Sequence, residues 1–244
     1  MTRVIGNGRK ETRGTQILSS LTLMLLLVIA LLPSAYCQSN DRAGIYSTPE
    51  PQNLGILQDS IRSYIKSASY ERGLAEVADS AKSFIESRYT KVKKPAIVLD
   101  IDETSLSNIE FEYRYGFGFN SKLWNAWVKE EAATAIKPTL GLAQWAASHH
   151  IAIFFITERS QISRNLVADP TVVNLEKAGY PDWKRIYFKN SRTISTSAFK
   201  TSARKEIESE GYTIVANIGD QYSDLVGDFA EGKFKLPDPM YYIP

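Results

Sequence analysis

The stretch that decides the fold is Ala96–Thr104, "AIVLDIDET", in which an apolar run leads directly into a loop of carboxylates. The apolar half predicts a buried strand, because continuous runs of Val, Ile and Leu are typical of parallel sheets covered on both faces. The polar half brings Asp100, Asp102 and Glu103 close together. Neighbouring carboxylates repel one another and lose hydration, so we expect a counter-charge or a chemical role beside them.

Strand and helix patterns alternate from Pro95 onward. Predicted strands cover 96–100, 151–157, 185–188 and 213–219, and predicted helices cover 121–132, 139–149, 161–178, 198–210 and 221–230. Upstream, apolar residues at helical spacing predict two helices between Leu54 and Tyr89. This alternation predicts an α/β fold with a Rossmann-like parallel sheet flanked by helices.

The first 37 residues differ from the rest of the chain. Basic residues precede an apolar run from Ile17 to Leu32, and small residues follow, which is the pattern of an export signal cleaved after Cys37. An uncleaved membrane anchor and a lipid-modified Cys37 are the alternatives. We therefore expect a periplasmic, secreted or cell-surface protein with no stable membrane partner after signal removal. Residues 38–53 are polar and predict a flexible lead-in.

Composition excludes several classes of function. The 244 residues are 43% hydrophobic and 23% charged, which is typical of a globular domain. Removal of residues 1–37 leaves 25 basic against 26 acidic residues and no cysteine, so we expect no nucleic-acid polymer as partner and no disulfide. The two histidines, His149 and His150, are adjacent, which disfavours a Ser-His-Asp hydrolase or a multi-histidine metal site.

Acidic residues follow the first and last predicted strands. Asp100 and Asp102 follow the first, Thr157 ends the second, and Asp220 and Asp224 follow the last. The carboxyl ends of parallel strands meet at one edge, where open α/β sheets bind their ligands. A helix cap would explain any one of these residues but not the whole set. Because carboxylates without His or Cys favour Mg²⁺, we predict a Mg²⁺ site there, formed by Asp100, Asp220, Asp224 and the Asp102 carbonyl.

This set of residues suits phosphate-ester chemistry. Asp100 is placed to attack phosphorus and form an aspartyl-phosphate. Asp102 would protonate the leaving oxygen and later take a proton from water, and Thr157 would donate its hydroxyl to a phosphoryl oxygen. A lysine should balance the charge of the transferring group, and the residues alone leave three candidates: Lys189, Lys200 and Lys205.

The loop D-x-D-x-T, a strand ending in threonine, a lysine and G-D-x-x-x-D together resemble the haloacid dehalogenase superfamily of phosphatases. The segments "LDIDETSLSN", "LWNAWV", "FKTSARKEIESEGYTI", "GDQYSDLVG" and "FKLPDPMYYIP" are similar to class C acid phosphatases, including their plant vegetative-storage-type branch. The resemblance covers roughly 54–244 as a single domain. It implies that Lys200, which opens a K-(S/T)-x-x-R helix, contacts the phosphate.

The resemblance also implies a small helical cap, built from about 54–92 and 105–138. In this reading Trp124 of the cap and Tyr241 of the tail hold an aromatic leaving group such as a nucleoside, and Arg159 is a further substrate-binding residue. Trp124 and Trp127 share a helix face, and we expect at least one of them to pack in the core.

Two residues depart from the family pattern. Glu158 stands where many relatives carry a small residue, and Tyr222 stands where plant relatives often carry Trp. An acid at Glu158 would weaken phosphate binding unless it points away or pairs with Arg159. We expect an exported, Mg²⁺-dependent acid phosphatase acting on phosphomonoesters. A non-catalytic storage or binding protein and a phosphotransferase using the same intermediate are the alternatives, and a homodimer is left open.

Overall fold

Five parallel strands form the centre of the unit Gln52–Pro244. The strands of the chain are β1 (Pro95–Leu99), β2 (Leu106–Ser107), β3 (Thr134–Ala135), β4 (Ala152–Thr157), β5 (Arg185–Phe188), β6 (Thr213–Gly219) and β7 (Gly232–Lys235). The sheet order is β5-β4-β1-β6-β7, while β2 and β3 form a separate antiparallel pair. The predicted α/β fold with a parallel sheet is thus confirmed. The edge strand β7 was not predicted, because "GKFK" is short and alternates charged residues.

The chain is seen in a computed structural model that describes residues 48–191 and 193–244. The predicted export signal, Cys37 and the lead-in up to residue 47 lie outside the described residues. Residues 48–53 are exposed and belong to no helix or strand. Within the described ranges, none of the helices has the length and apolar character needed to cross a membrane.

Helices cover both faces of the sheet. They are α1 (Leu54–Ile65), α2 (Ala68–Arg88), α3 (Ile109–Tyr115), α4 (Ser121–Glu130), α5 (Lys137–Ser148), α6 (Pro170–Lys177), α7 (Thr196–Ser209) and α8 (Tyr222–Leu225). Alternate residues of β1 face opposite sides, so that Ile97 and Leu99 join one apolar cluster and Ala96 and Val98 join another. Helix α7 supplies Ala203 and Ile207 to the second cluster. This two-sided burial explains why β1 reads as a continuous apolar run.

The helix predicted over 161–178 is shorter in the structure. Residues 161–165 form a loop, Leu166–Ala168 form a 3₁₀ turn, and α6 begins at Pro170. Proline has no amide hydrogen and disfavours a helical residue before it, so it starts this helix rather than continuing one. The buried Asp169 carboxylate fixes the boundary by accepting the N–H groups of Ile162 and Thr171.

The helix predicted over 221–230 ends after Leu225. The buried Arg204 guanidinium donates to the carbonyls of Asp224, Val226 and Asp228, which a longer helix would have used for its own amides. Gly227 then takes a left-handed conformation with φ of 83°. A single long-range side chain therefore ends this helix.

The predicted cap segments separate into two groups. Helix α1 contacts the insert, since Gln58 Nε2 donates to the Gly116 carbonyl at 2.8 Å and Arg62 lies over the rings of Tyr113 and Phe117. Helix α2, which was expected with the cap, packs instead against α5, β6 and β7. Its buried face covers the sheet, and the membership of α1 and the insert in a cap stays a prediction.

Candidate active site

Three carboxylates meet at the carboxyl end of the sheet. Asp100 follows β1, and Asp220 and Asp224 follow β6; one oxygen from each lies within 4.8 Å of the others. All three side chains are buried. The structure therefore brings together the acids that the strand pattern predicted. Such a set of hard oxygen atoms could hold Mg²⁺.

Lys200 is the cation that reaches this cluster. Helix α7, capped by Ser195, carries its buried side chain to Asp100 and Asp224, to both of which the ammonium group donates. Burial alone would lower the pKa of Lys200, but the charges of Asp100 and Asp224 outweigh it and raise that pKa above its usual value. The lysine is thus held charged. Of the three lysine candidates, Lys200 is the one that contacts the acidic cluster, and its contact with the phosphate stays a prediction.

One lysine does not balance three acids. Burial raises the pKa of Asp100, and the charges of Asp224 and Asp102 raise it further, while Lys200 lowers it. Burial also raises the pKa of Asp220, and its neighbours Asp224 and Asp100 add to the effect. Raised pKa values of this kind are expected for buried carboxylates with too little positive charge nearby. A divalent cation fits this deficit.

Asp102 lies apart from the cluster of three aspartates but lines the same cavity. Its carboxylate accepts hydrogen bonds from Arg159, with Nη2 at 2.7 Å and Nε at 3.1 Å, and from Asn108 Nδ2 at 2.8 Å. The Arg159 side chain is buried, whereas the side chain of Asp102 keeps 15% of its surface exposed. The Asp102 carboxylate is therefore oriented by a fixed partner, and the prediction that its carbonyl binds metal stays a prediction.

Arg159 was predicted to bind substrate, and in the structure its side chain is engaged by Asp102. Asn108, which the motif analysis missed, completes this network. The side-chain Nδ2 of Asn108 donates to both Asp102 and Glu103, and its side-chain Oδ1 accepts the indole N–H of Trp127 at 2.8 Å. Asn108 ends the segment "LDIDETSLSN", so its place beside the acidic loop was the available signal.

Two threonines, Thr157 and Thr104, form hydrogen bonds at the carboxyl edge of the sheet. Thr157, at the end of β4, is fully buried, and its hydroxyl accepts the N–H of Arg159 at 3.1 Å. Thr104 Oγ1 donates to Asp220 Oδ1 at 3.0 Å. Thr157 is thus at the predicted edge, and its contact with a phosphoryl oxygen stays a prediction.

A cavity of about 770 Å³ opens above these residues. Its lining includes Asp100, Asp102, Lys200 and Asp220, together with the aromatic residues Phe117, Phe119, Trp124, Tyr241 and Tyr242. Trp124 is half-buried, and the Arg159 guanidinium lies 5.5 Å from its ring centre. Trp127, by contrast, is 2% exposed and packs in the core. The two tryptophans therefore divide as predicted, one in the core and one at the cavity.

The C-terminal tail is anchored to the acidic cluster through Gln221. Its side-chain Nε2 donates to Asp220 at 2.7 Å and to Asp238 at 2.8 Å. Its side-chain Oε1 accepts the backbone N–H of Ile243 at 3.1 Å. Tyr241 Oη donates to Glu103 at 3.3 Å. Gln221 was not singled out in the sequence, although it sits inside "GDQYSD". The adjacent Tyr222 is exposed and lies outside the cavity lining.

Glu158 has a partner other than the predicted one. Lys189 Nζ lies 2.8 Å from Glu158 Oε1, and both residues line the cavity. The second oxygen, Oε2, is buried and makes no hydrogen bond to any residue of the described ranges. Lys189 thus neutralises the charge of Glu158, and Arg159 pairs with Asp102 instead.

A parallel sheet with clustered acids and a lysine at its carboxyl edge defines a phosphatase-type haloacid dehalogenase fold. Residues 36–244 match the sequence model of the "HAD superfamily, subfamily IIIB (Acid phosphatase)". The chain belongs to this family of acid phosphatases, as its motifs indicated.

Curated relatives include plant enzymes and plant storage proteins. Acid phosphatase 1 of Solanum lycopersicum is 33% identical, over 76% of this chain and 74% of that protein. The Stem 28 kDa glycoprotein of Glycine max is 39% identical, over 62% of this chain and 61% of its own length. Vegetative storage protein 2 of Arabidopsis thaliana is 36% identical, over 60% of this chain and 56% of that protein. The chain thus spans about three fifths of the length of the last two relatives.

Among solved structures, the class C acid phosphatase from Bacillus anthracis has a similar fold. The TM-score is 0.63 at 23% sequence identity, and the match covers 78% of this chain and 86% of that one. This likeness supports the fold assignment.

Proposed function

We propose that this protein is an exported, Mg²⁺-dependent acid phosphatase that hydrolyses phosphomonoesters through an aspartyl-phosphate. The observation that carries the proposal is the buried group of Asp100, Asp220 and Asp224, two of which, Asp100 and Asp224, contact the ammonium group of Lys200. Burying three carboxylates is costly unless the site is completed by positive charge, so the arrangement is best explained by a role in binding metal and phosphate. Family membership supports the same reaction class.

The first step would be attack by an Asp100 carboxylate oxygen on phosphorus. A bond from Asp100 to phosphorus forms, the bond from phosphorus to the ester oxygen breaks, and the leaving oxygen takes a proton from Asp102. In the second step Asp102 takes a proton from water, whose oxygen attacks phosphorus and releases phosphate from Asp100. Lys200 holds the negative phosphoryl group, and Arg159 orients Asp102.

Asp100, Asp220 and Asp224 would hold the metal. When bound, Mg²⁺ supplies charge neutralisation to the phosphoryl oxygens. Neighbouring residues of the chain hold these aspartates in position. Gln221 fixes Asp220 through a hydrogen bond of 2.7 Å, and the Asp224 carboxylate accepts the Gln221 N–H at 2.8 Å.

Nucleoside monophosphates are the substrates that the cavity lining favours. Trp124 and Tyr241 both line the cavity that holds Asp100 and Asp102. An aromatic side chain stacks on any base, so this lining would favour aromatic leaving groups without selecting one base. Export rests on the basic and apolar pattern of residues 1–37.

Two alternatives remain within the same fold. A storage or binding protein is suggested by the vegetative storage proteins among the relatives. That role would not need Asp102 held by Arg159 beside an intact nucleophile. A phosphotransferase would use the same intermediate with an alcohol in place of water, and product analysis separates it from a hydrolase.

The decisive experiment measures phosphate release by purified Gln38–Pro244. AMP and nitrophenyl phosphate are tested with Mg²⁺ and with chelator, alongside Asp100→Asn and the exposed control Asp182→Asn. We expect release that requires both the metal and Asp100 and that survives in the control. Absence of release from folded protein on every monoester would support the storage or binding alternative.

A further inference from the structure

Glu112 is a buried acid of the cavity that the proposed reaction does not use. It lies on α3, is 6% exposed, and lines the same cavity as Asp100 and Trp124. Within residues 48–191 and 193–244, no side chain donates a hydrogen bond to its carboxylate and no cation forms an ion pair with it. Since no residue of the described ranges holds this carboxyl group and it lines the cavity, it is available to a ligand that enters there.

The charges of the cavity show which ligand group is missing. Among the described residues, six side-chain carboxylates line the cavity against three cations. Each of these cations is already paired: Arg159 with Asp102, Lys189 with Glu158, and Lys200 with Asp100 and Asp224. The described chain therefore offers Glu112 no cation of its own. The metal predicted for this site would sit with the three clustered aspartates, so Glu112 remains an acid without a counter-charge.

The electrostatic surroundings agree with this reading. Burial, followed by the charges of Asp238 and Asp102, raises the pKa of Glu112 to about 7. No basic group of the described residues opposes that rise. A cationic ligand beside Glu112 would lower the pKa again and keep the carboxylate ionised.

Aromatic side chains surround the same space. Phe117, Phe119, Trp124, Tyr241 and Tyr242 line the cavity with Glu112. The faces of aromatic rings attract cations, and rings combined with an acid are the usual means of binding ammonium groups. The Arg159 guanidinium, 5.5 Å from the ring centre of Trp124, shows that this ring already accepts a cation on one side.

We propose that Glu112 and the cavity aromatics form a subsite for an ammonium group on the leaving alcohol. Among phosphomonoesters of the same shape, those whose alcohol carries a positive charge would then be preferred over neutral ones. This inference rests on the proposed function, because it assumes that the phosphoryl group of the substrate is bound at Asp100. It adds a charge preference, which stacking on Trp124 alone would not provide.

The test compares two esters of the same shape. Choline phosphate carries a trimethylammonium group, and its neutral isostere carries a tert-butyl group in the same place. We expect kcat/KM of Gln38–Pro244 to favour the cationic ester by about tenfold or more, since the coulombic attraction to Glu112 and the cation–π contacts are lost in the neutral one. Glu112→Gln should lower the ratio of the two kcat/KM values several-fold and leave only the smaller preference that the aromatic rings provide.

Glu110→Gln is the matched control. Glu110 lies on the same helix, but its side chain is 68% exposed and pairs with Arg114. We expect the control to keep the preference of the unmodified protein, and thermal denaturation of both variants checks that they are folded. Equal kcat/KM for the two esters, or a preference that is undiminished in Glu112→Gln, would overturn the ammonium subsite. Failure to hydrolyse either ester or nitrophenyl phosphate would instead overturn the proposed phosphatase.

Discussion

Replacement of Lys200 by methionine tests the central electrostatic argument. The Lys200 side chain is 3% exposed and contacts two carboxylates that are themselves buried. Removal of one partner from a buried ion pair leaves an uncompensated charge and costs about 3–5 kcal/mol. Since domains of this size are stable by about 5–15 kcal/mol, the Lys200→Met protein should still fold but lie close to its limit.

Urea denaturation in the presence of a chelator measures this loss. Lys205→Met is the matched control, because Lys205 lies on the same helix and is exposed, and a surface change of this kind should stay within about 0.5 kcal/mol. Mg²⁺ should recover part of the stability lost in Lys200→Met, since it would replace positive charge beside Asp100 and Asp224. A loss below about 1 kcal/mol for Lys200→Met in chelator would refute the reasoning.

Four further predictions concern single residues. Asp102→Asn should slow hydrolysis of esters with poor leaving groups more than that of nitrophenyl phosphate, and equal losses would contradict its role as the acid. Trp124→Ala should raise KM for AMP about tenfold but change KM for a small sugar phosphate little, because stacking contributes about 1–3 kcal/mol per base. Gly219→Ala should lower activity and metal affinity, since the added methyl would lie 2.7 Å from Asp224 Cγ; Mg²⁺ titration of activity checks this. The pKa of Glu112 is raised from 4.5 to about 7, so its protonation stabilises the folded state. That stability is complete below pH 4.5 and is lost as the pH rises through about 7. The free energy of unfolding, measured against pH, should therefore fall less steeply over this range in Glu112→Gln.

Helix ends were the least predictable part of the fold. The start of α6 is encoded locally by Asp169 and Pro170, and a closer reading of that pair would have found it. The early end of α8 is different, because it depends on Arg204, which lies on α7 and takes the carbonyls that a longer α8 would have used. No local pattern around Leu225 reports that contact.

The convergence of the acids was predictable, whereas their partners were not. Continuous apolar runs specify parallel strands, and parallel strands carry the residues that follow them to one edge, so Asp100, Asp220 and Asp224 could be placed together from the sequence. Neutralisation of Glu158 by Lys189, and of Asp102 by Arg159, required the distances between side chains of different strands and loops.

The sequence by itself determined the α/β sheet, its acidic edge and the family, because these follow from local periodicity and from motifs. Only the tertiary structure decided that Arg159 orients Asp102, that Asn108 and Gln221 support the site, and that Glu112 has no partner in the described chain. The physical reason is that two side chains pair only when packing places them within about 3 Å of each other. That proximity arises from contacts between residues that are far apart in the chain.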